Sequence, residues 1–135
     1  MVVISVNNSN FFTTLDGNTI NTGDTVLVTE DITLTSNINL TINGGTFDGN
    51  NYYIVIEGID NFEGVMVSPS STSVIKNVKV LVRNLSTLAD NGGWLVKFNS
   101  SGFVENCYVR NEFGNTSTIN GYRSGGVIGS NFSIG

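Results

Sequence analysis

Short apolar blocks recur along this chain at a nearly constant spacing. Residues 74–80 match residues 103–109 at an offset of 29, and residues 64–67 match 93–96 at the same offset. A third Gly-led block, 126–129, lies 33 residues beyond the second one. Loops that change length between strands that keep their register are typical of a solenoid.

Each repeat divides into three short strands, which in one copy span residues 65–67, 73–76 and 78–82. In the third strand, apolar and outward positions alternate with a period of two, as in a half-buried strand. Strands of three to five residues cannot bury a face alone, but like strands stacked about 4.8 Å apart enclose a continuous core. The pattern therefore predicts an all-β fold, a right-handed parallel β-helix with three short strands per coil.

A single asparagine separates the second strand from the third in successive repeats, at Asn51, Asn77 and Asn106. Apolar residues flank it on both sides, which requires a sharp bend, and asparagine tolerates the left-handed conformation that supplies one. We expect these side chains to stack and form a hydrogen-bonded ladder. The alternative is that they are unrelated turn residues, since the chain contains twenty asparagines.

The same register predicts columns of outward side chains. Lys76 should lie beneath Glu105, and Arg83 beneath Glu112, each at an offset of 29. Exposed pairs of this kind contribute only about 0.2–1 kcal/mol, so their value is as a test of the register.

A second outward column should contain Tyr53, Lys79 and Tyr108, with a cation–π contact between lysine and tyrosine. Exposed aromatic rings on a solenoid can stack on sugars, and the long insertion 111–124 is a further place for function. The candidate binding residues, with carbohydrate as the expected partner, are Tyr53, Tyr108, Tyr122 and Arg123. Local packing of these aromatic side chains is the alternative.

The chain is expected to form one domain, 1–135, with an N-terminal cap at 1–25 and coils from 26 to 135. Within the cap, Ser9 can begin a short helical turn over residues 10–15. The side chains expected to cover the open end of the core are Phe11, Phe12 and Leu15. No cap is recognisable at the other end, so we expect a longer solenoid of which this is the N-terminal part, or a self-association that covers that end.

Composition excludes several classes of function. The net charge is −5, and the six basic residues form no stripe, which argues against nucleic-acid binding. No run of eighteen apolar residues could span a bilayer, and the first residues lack the basic region of a classical signal peptide. Cys107, the one cysteine, occupies the place of Val78 in the preceding repeat and is expected to act as a small core residue.

Catalytic chemistry has little support in the sequence. The chain contains no histidine, which removes His-based triads and most zinc sites, so no metal or cofactor is expected. The acidic residues are mostly isolated at turns; Asp60 and Glu63 are the one close pair between recognisable strands. We interpret this pair as solvated turn residues, and a catalytic or calcium-binding role is the alternative. No catalytic residue is predicted.

Two groups of residues resemble a known family. Residues 23–28, 32–34 and 46–52 are similar to the opening of many pectate-lyase-like β-helix proteins, and 104–109 and 125–131 resemble their GLUG-type repeats. The resemblance implies a structural or surface-display module of a virion or of a cell surface, with attachment as its role. The alternative is the N-terminal part of a polysaccharide lyase or glycoside hydrolase whose catalytic coils lie beyond residue 135.

Overall fold

The structure is a computed structural model that describes residues 1–111, 127–129 and 133–134. Within these residues the chain forms one short helix and a series of short strands. Their bounds are β1 Val3–Val6, α1 Phe11–Leu15, β2 Asn18–Asn21, β3 Thr25–Val28, β4 Ile32–Leu34, β5 Leu40–Asn43, β6 Thr46–Asp48, β7 Tyr53–Glu57, β8 Val74–Lys76, β9 Lys79–Arg83, β10 Ser101–Glu105, β11 Tyr108–Asn111 and β12 Ser133–Ile134.

The strands stack into three sheets whose ladders between named strands are parallel. The first sheet has the order β1-β3-β6-β8-β10-β12, the second β4-β7-β9-β11, and the third contains β2 and β5. Parallel bridges at Met66, Val67 and Val96 carry the third face on to Ile128. The chain is thus a parallel β-solenoid of about four turns, and the predicted fold class is confirmed.

The register on two of the three faces follows the sequence repeat. Val74 pairs with Phe103, and Lys79 pairs with Tyr108, both at the predicted offset of 29. Tyr53 pairs with Lys79 at the predicted offset of 26. The alternation is confirmed on β9, where Val80 and Val82 are buried and the residues between them face outward.

On the third face the predicted register is wrong by one residue at the middle block. Met66 pairs with Val96, and Val96 with Ile128, at offsets of 30 and 32 where 29 and 33 were expected. The preceding bridge, between Phe62 and Leu88, has an offset of 26, so the added residues lie between Leu88 and Val96. This segment contains Trp94, whose indole is buried and stacks on the Phe62 ring at 6.1 Å.

The core is one continuous column of aliphatic and aromatic side chains inside the three faces. Phe11, Phe47 and Phe62 are its largest fully buried members. Full burial of a Val, Leu, Ile or Phe side chain contributes about 1.5–3 kcal/mol, so stacking of otherwise marginal strands is the main source of stability.

The first coil begins earlier than the cap expected at 1–25. Strand β1 already pairs with β3, and β2 pairs with β5, so residues 3–21 form a coil in which α1 replaces the strand of the second face. Phe11 and Leu15 are buried as expected, but Phe12 is exposed. Ser9 does not cap the helix; the Asn7 side chain accepts hydrogen bonds from the backbone N–H groups of Ser9 and Asn10.

The predicted asparagines occupy the corner between the first and second faces. Asn51, Asn77 and Asn106 have φ values of 64°, 57° and 52°, the left-handed conformation that the flanking inward residues require. Asn106 Nδ2 donates to Asn77 Oδ1 at 2.8 Å, so these two side chains are stacked neighbours. Asn77 Nδ2 donates to Asp48 at 3.1 Å, so the next side chain along this ladder is Asp48, where Asn51 was expected.

Candidate functional site

The outward face of the β4-β7-β9-β11 sheet carries a cluster of two tyrosines and two cations, which we call the Tyr–cation column: Tyr53, Lys79, Tyr108 and Arg110. The parallel register places Tyr53, Lys79 and Tyr108 side by side on three successive strands. Lys79 Nζ lies 5.3 Å from the centroid of the Tyr53 ring, which confirms the expected cation–π contact. Arg110 Cζ lies 5.5 Å from the same centroid.

Hydrogen bonding with Tyr108 lowers the pKa of Tyr53, and the same interaction raises the pKa of Tyr108. Arg110 and Lys79 lower the pKa of Tyr53 further through their positive charges. The two tyrosines lie two strands apart, on β7 and β11, and 43% of Tyr108 remains exposed.

The Tyr–cation column is separate from an ion pair that lies at the opposite end of β7 and β9. Arg83 Nη1 lies 3.6 Å from Glu57 Oε1, and the Asn84 amide also donates to that carboxylate. In contrast, neither Lys79 nor Arg110 forms a salt bridge with any residue in the described part of the chain. Among the described residues, these two cations therefore contact the Tyr53 ring and no carboxylate.

Three sequence-predicted positions lie outside the described residues. These are Tyr122 and Arg123, from the candidate binding set, and Glu112, the expected partner of Arg83. The other expected pair, Lys76 and Glu105, lies in register on β8 and β10, and these two residues form no salt bridge.

A pocket of about 350 Å³ opens on another side of the solenoid, beside the third face. Half-buried Lys97 lines it, and its Nζ donates to the Ile38 carbonyl oxygen at 2.6 Å. Burial lowers the pKa of Lys97, opposed by attraction to Glu63 and Asp16. The side chains that complete the lining are polar, acidic or apolar: Asn39, Glu63, Val67, Asp90 and Phe98.

The structure places Asp60 and Glu63, the close acidic pair in the sequence, in different surroundings. Glu63 lines the pocket, whereas Asp60 accepts a hydrogen bond from Thr87 at 3.4 Å. Across residues 1–111, 127–129 and 133–134, no group of three or more His, Cys, Asp or Glu side chains is placed to hold a metal ion. The same residues include no helix long and apolar enough to cross a bilayer.

Cys107 lies at the corner after Asn106 and packs against the core, as its alignment with Val78 predicts. Its side chain is partly buried, and its Sγ lies 3.2 Å from the Glu105 carbonyl oxygen. Burial raises the pKa of the thiol, which disfavours the reactive thiolate.

Sequence reasoning missed two contributors to these sites. Arg110 lies two residues after Tyr108, a spacing that places both side chains on one face of a strand. Its place in the column could therefore have been predicted from the sequence. Lys97 reaches Ile38, 59 residues earlier, across two coils. No repeat offset between adjacent coils could have indicated that contact.

Comparison of the chain with protein-family models, with curated proteins and with solved structures gave no match. The pectate-lyase-like relationship therefore stays a prediction.

Proposed function

We propose that this chain is a non-enzymatic, rigid β-solenoid module of a virion or cell-surface protein, and that it attaches to carbohydrate through the Tyr–cation column. The observation that carries the proposal is the exposed Tyr108 ring, which lies in register with Lys79 and Tyr53 on the outward face of a parallel sheet. A ring carried by a hydrogen-bonded strand loses little conformational entropy when a sugar stacks on it.

The architecture supports a display role. Each coil is tied to the next by parallel ladders on three faces, and the core runs through them without interruption. Such a scaffold holds outward side chains at a fixed spacing of about 4.8 Å per coil. An extended glycan can then contact several coils at once, and weak contacts add because the scaffold does not have to be ordered on binding.

The enzyme alternative has one structural feature in its favour, the pocket that contains Glu63, Asp90 and Lys97. Glycoside hydrolysis needs a proton donor and a second carboxylate on opposite sides of a bound sugar. The test of the proposed function therefore includes a turnover assay beside the binding assay.

The test is a glycan array probed with the purified chain, followed by titration of the best ligand against Tyr108→Ala. We expect binding to at least one glycan class and a loss of about ten-fold in affinity in the variant, the value of one stacking contact. Phe103→Ala is the matched control, since Phe103 is also exposed but lies on β10 in another sheet, and we expect it to bind normally.

Two results would overturn the proposal. One is an array with no bound glycan, and the other is release of reducing ends or unsaturated sugars from polysaccharides incubated with the chain. If this cleavage disappears in Glu63→Gln, the function of the chain is polysaccharide cleavage at the pocket.

A further inference from the structure

The distribution of positive charge on this acidic chain is uneven. The net charge is −5 and only six residues are basic, yet Lys79, Arg83 and Arg110 all lie on the outward side of β9 and β11. Arg83 is neutralised by Glu57. Lys79 and Arg110 remain as a local positive site on a molecule that otherwise repels anions.

The Tyr53 ring holds these two cations close together. Both lie within 5.5 Å of one ring centroid, and neither has a carboxylate at salt-bridge distance among the described residues. Two positive charges beside one ring repel each other, and the ring offsets this repulsion only in part. A bound anion would relieve the repulsion and would accept hydrogen bonds from both side chains.

The surroundings of the column limit where an anion can lie. Asp31 accepts the backbone N–H of Tyr53 at 2.9 Å, so the acidic side of the site is on the coil before Tyr53. Tyr108 and Arg110 lie two strands away, on β11. An anion is therefore favoured on the Lys79–Arg110 side, next to the exposed Tyr108 ring.

We infer that the Tyr–cation column recognises an acidic sugar unit, with Lys79 and Arg110 binding its carboxylate or sulfate while Tyr108 stacks on its ring. This inference rests on the proposed glycan attachment and specifies the ligand class. Recognition of charge and ring together distinguishes an acidic polysaccharide from a simple anion and from a neutral glycan.

The test uses three polymers that share one backbone: dextran, carboxymethyl dextran and dextran sulfate. We expect the two charged polymers to bind at least about ten-fold more tightly than dextran in low salt, and this preference to shrink as salt is added. Lys79→Gln and Arg110→Gln should each weaken binding of the preferred polymer by about five- to ten-fold.

Lys76→Gln is the matched control, because it makes the same change of net charge on β8 in the other sheet. We expect its affinity to stay within about two-fold of the native chain. Tyr108→Phe keeps the ring and should retain more binding than Tyr108→Ala. Thermal unfolding of each variant shows that it is folded.

The inference fails if Lys76→Gln weakens binding as much as Lys79→Gln, since attraction would then be unspecific. It also fails if dextran binds as tightly as the charged polymers, or if a glycan that Tyr108→Ala loses is bound normally by Lys79→Gln and Arg110→Gln. In these last two cases attachment to carbohydrate stands and only the acidic specificity is overturned.

Discussion

At the scale of single residues, backbone conformation decides which side chains the corners accept. Asn77 combines a positive φ of 57° with two side-chain hydrogen bonds, one to Asp48 and one from Asn106. Asparagine suits this position for two separable reasons. It tolerates the left-handed conformation better than most residues, and its amide can donate and accept along the coil axis at the same time.

Two substitutions of Asn77 separate these contributions. Asn77→Gly keeps the backbone conformation accessible and loses the two hydrogen bonds, which should cost about 1 kcal/mol. Asn77→Ala loses the bonds and adds the left-handed penalty, so we expect about 2–3 kcal/mol. Urea unfolding followed by circular dichroism measures both; equal losses in the two variants would show that the conformation contributes nothing.

At the scale of elements, buried serines connect successive coils near the turns. The Ser73 hydroxyl accepts the Gly44 N–H and donates to the Ile42 carbonyl oxygen, both at 2.8 Å. Ser86 and Ser100 likewise accept a backbone N–H from the coil before them. The hydroxyl satisfies backbone groups that the strand ladder leaves at a bend, where an unpaired buried group would be costly.

Removal of one such hydroxyl should weaken the stack. We expect Ser73→Ala to lower the free energy of unfolding by about 1–3 kcal/mol, because the Gly44 N–H loses its acceptor. Ser71→Ala, an exposed position two residues earlier, should stay within about 0.5 kcal/mol of the native chain in the same urea titration. A loss at Ser71 as large as that at Ser73 would rule out the bridging role.

Elements also show how far the sequence could predict the fold and the site. The register of β7, β9 and β11 could be predicted because each of these strands begins two residues after a corner asparagine. The one-residue shift on the third face could not, since both the expected and the observed offset place an apolar residue, Leu95 or Val96, opposite Met66. Tyr53, Lys79 and Tyr108 could be placed together from the register, but the interaction between the two tyrosine side chains depends on ring rotamers that no spacing indicates.

At the scale of the whole molecule, the solenoid has one core, and that core is built from contacts between neighbouring coils. Each strand contacts the strands above and below it, so the stability of a coil depends on its two neighbours. Strand β7 has β4 on one side and β9 on the other, whereas β1 has β3 alone among the described strands. The start of the stack therefore depends on core side chains from the coils that follow β1 and α1.

Phe47 is one such side chain, and its removal tests whether the first coils unfold together. The ring is fully buried and meets Phe11 of α1 edge-on at 6.3 Å, so it joins the helix to β6 two coils further on. Phe47→Ala should cost about 3–5 kcal/mol, the value of a large cavity in a core. Because the cavity lies between coils, hydrogen exchange should accelerate in β1, α1 and β3 before it does in β9 and β11.

The control is Phe103→Ala, which removes a largely exposed ring. It should change the free energy of unfolding by no more than about 0.5 kcal/mol and should leave the exchange pattern as it is. Uniform acceleration along the whole chain would instead show that the coils unfold as one unit, and the nearest-neighbour description of this stack would then be wrong.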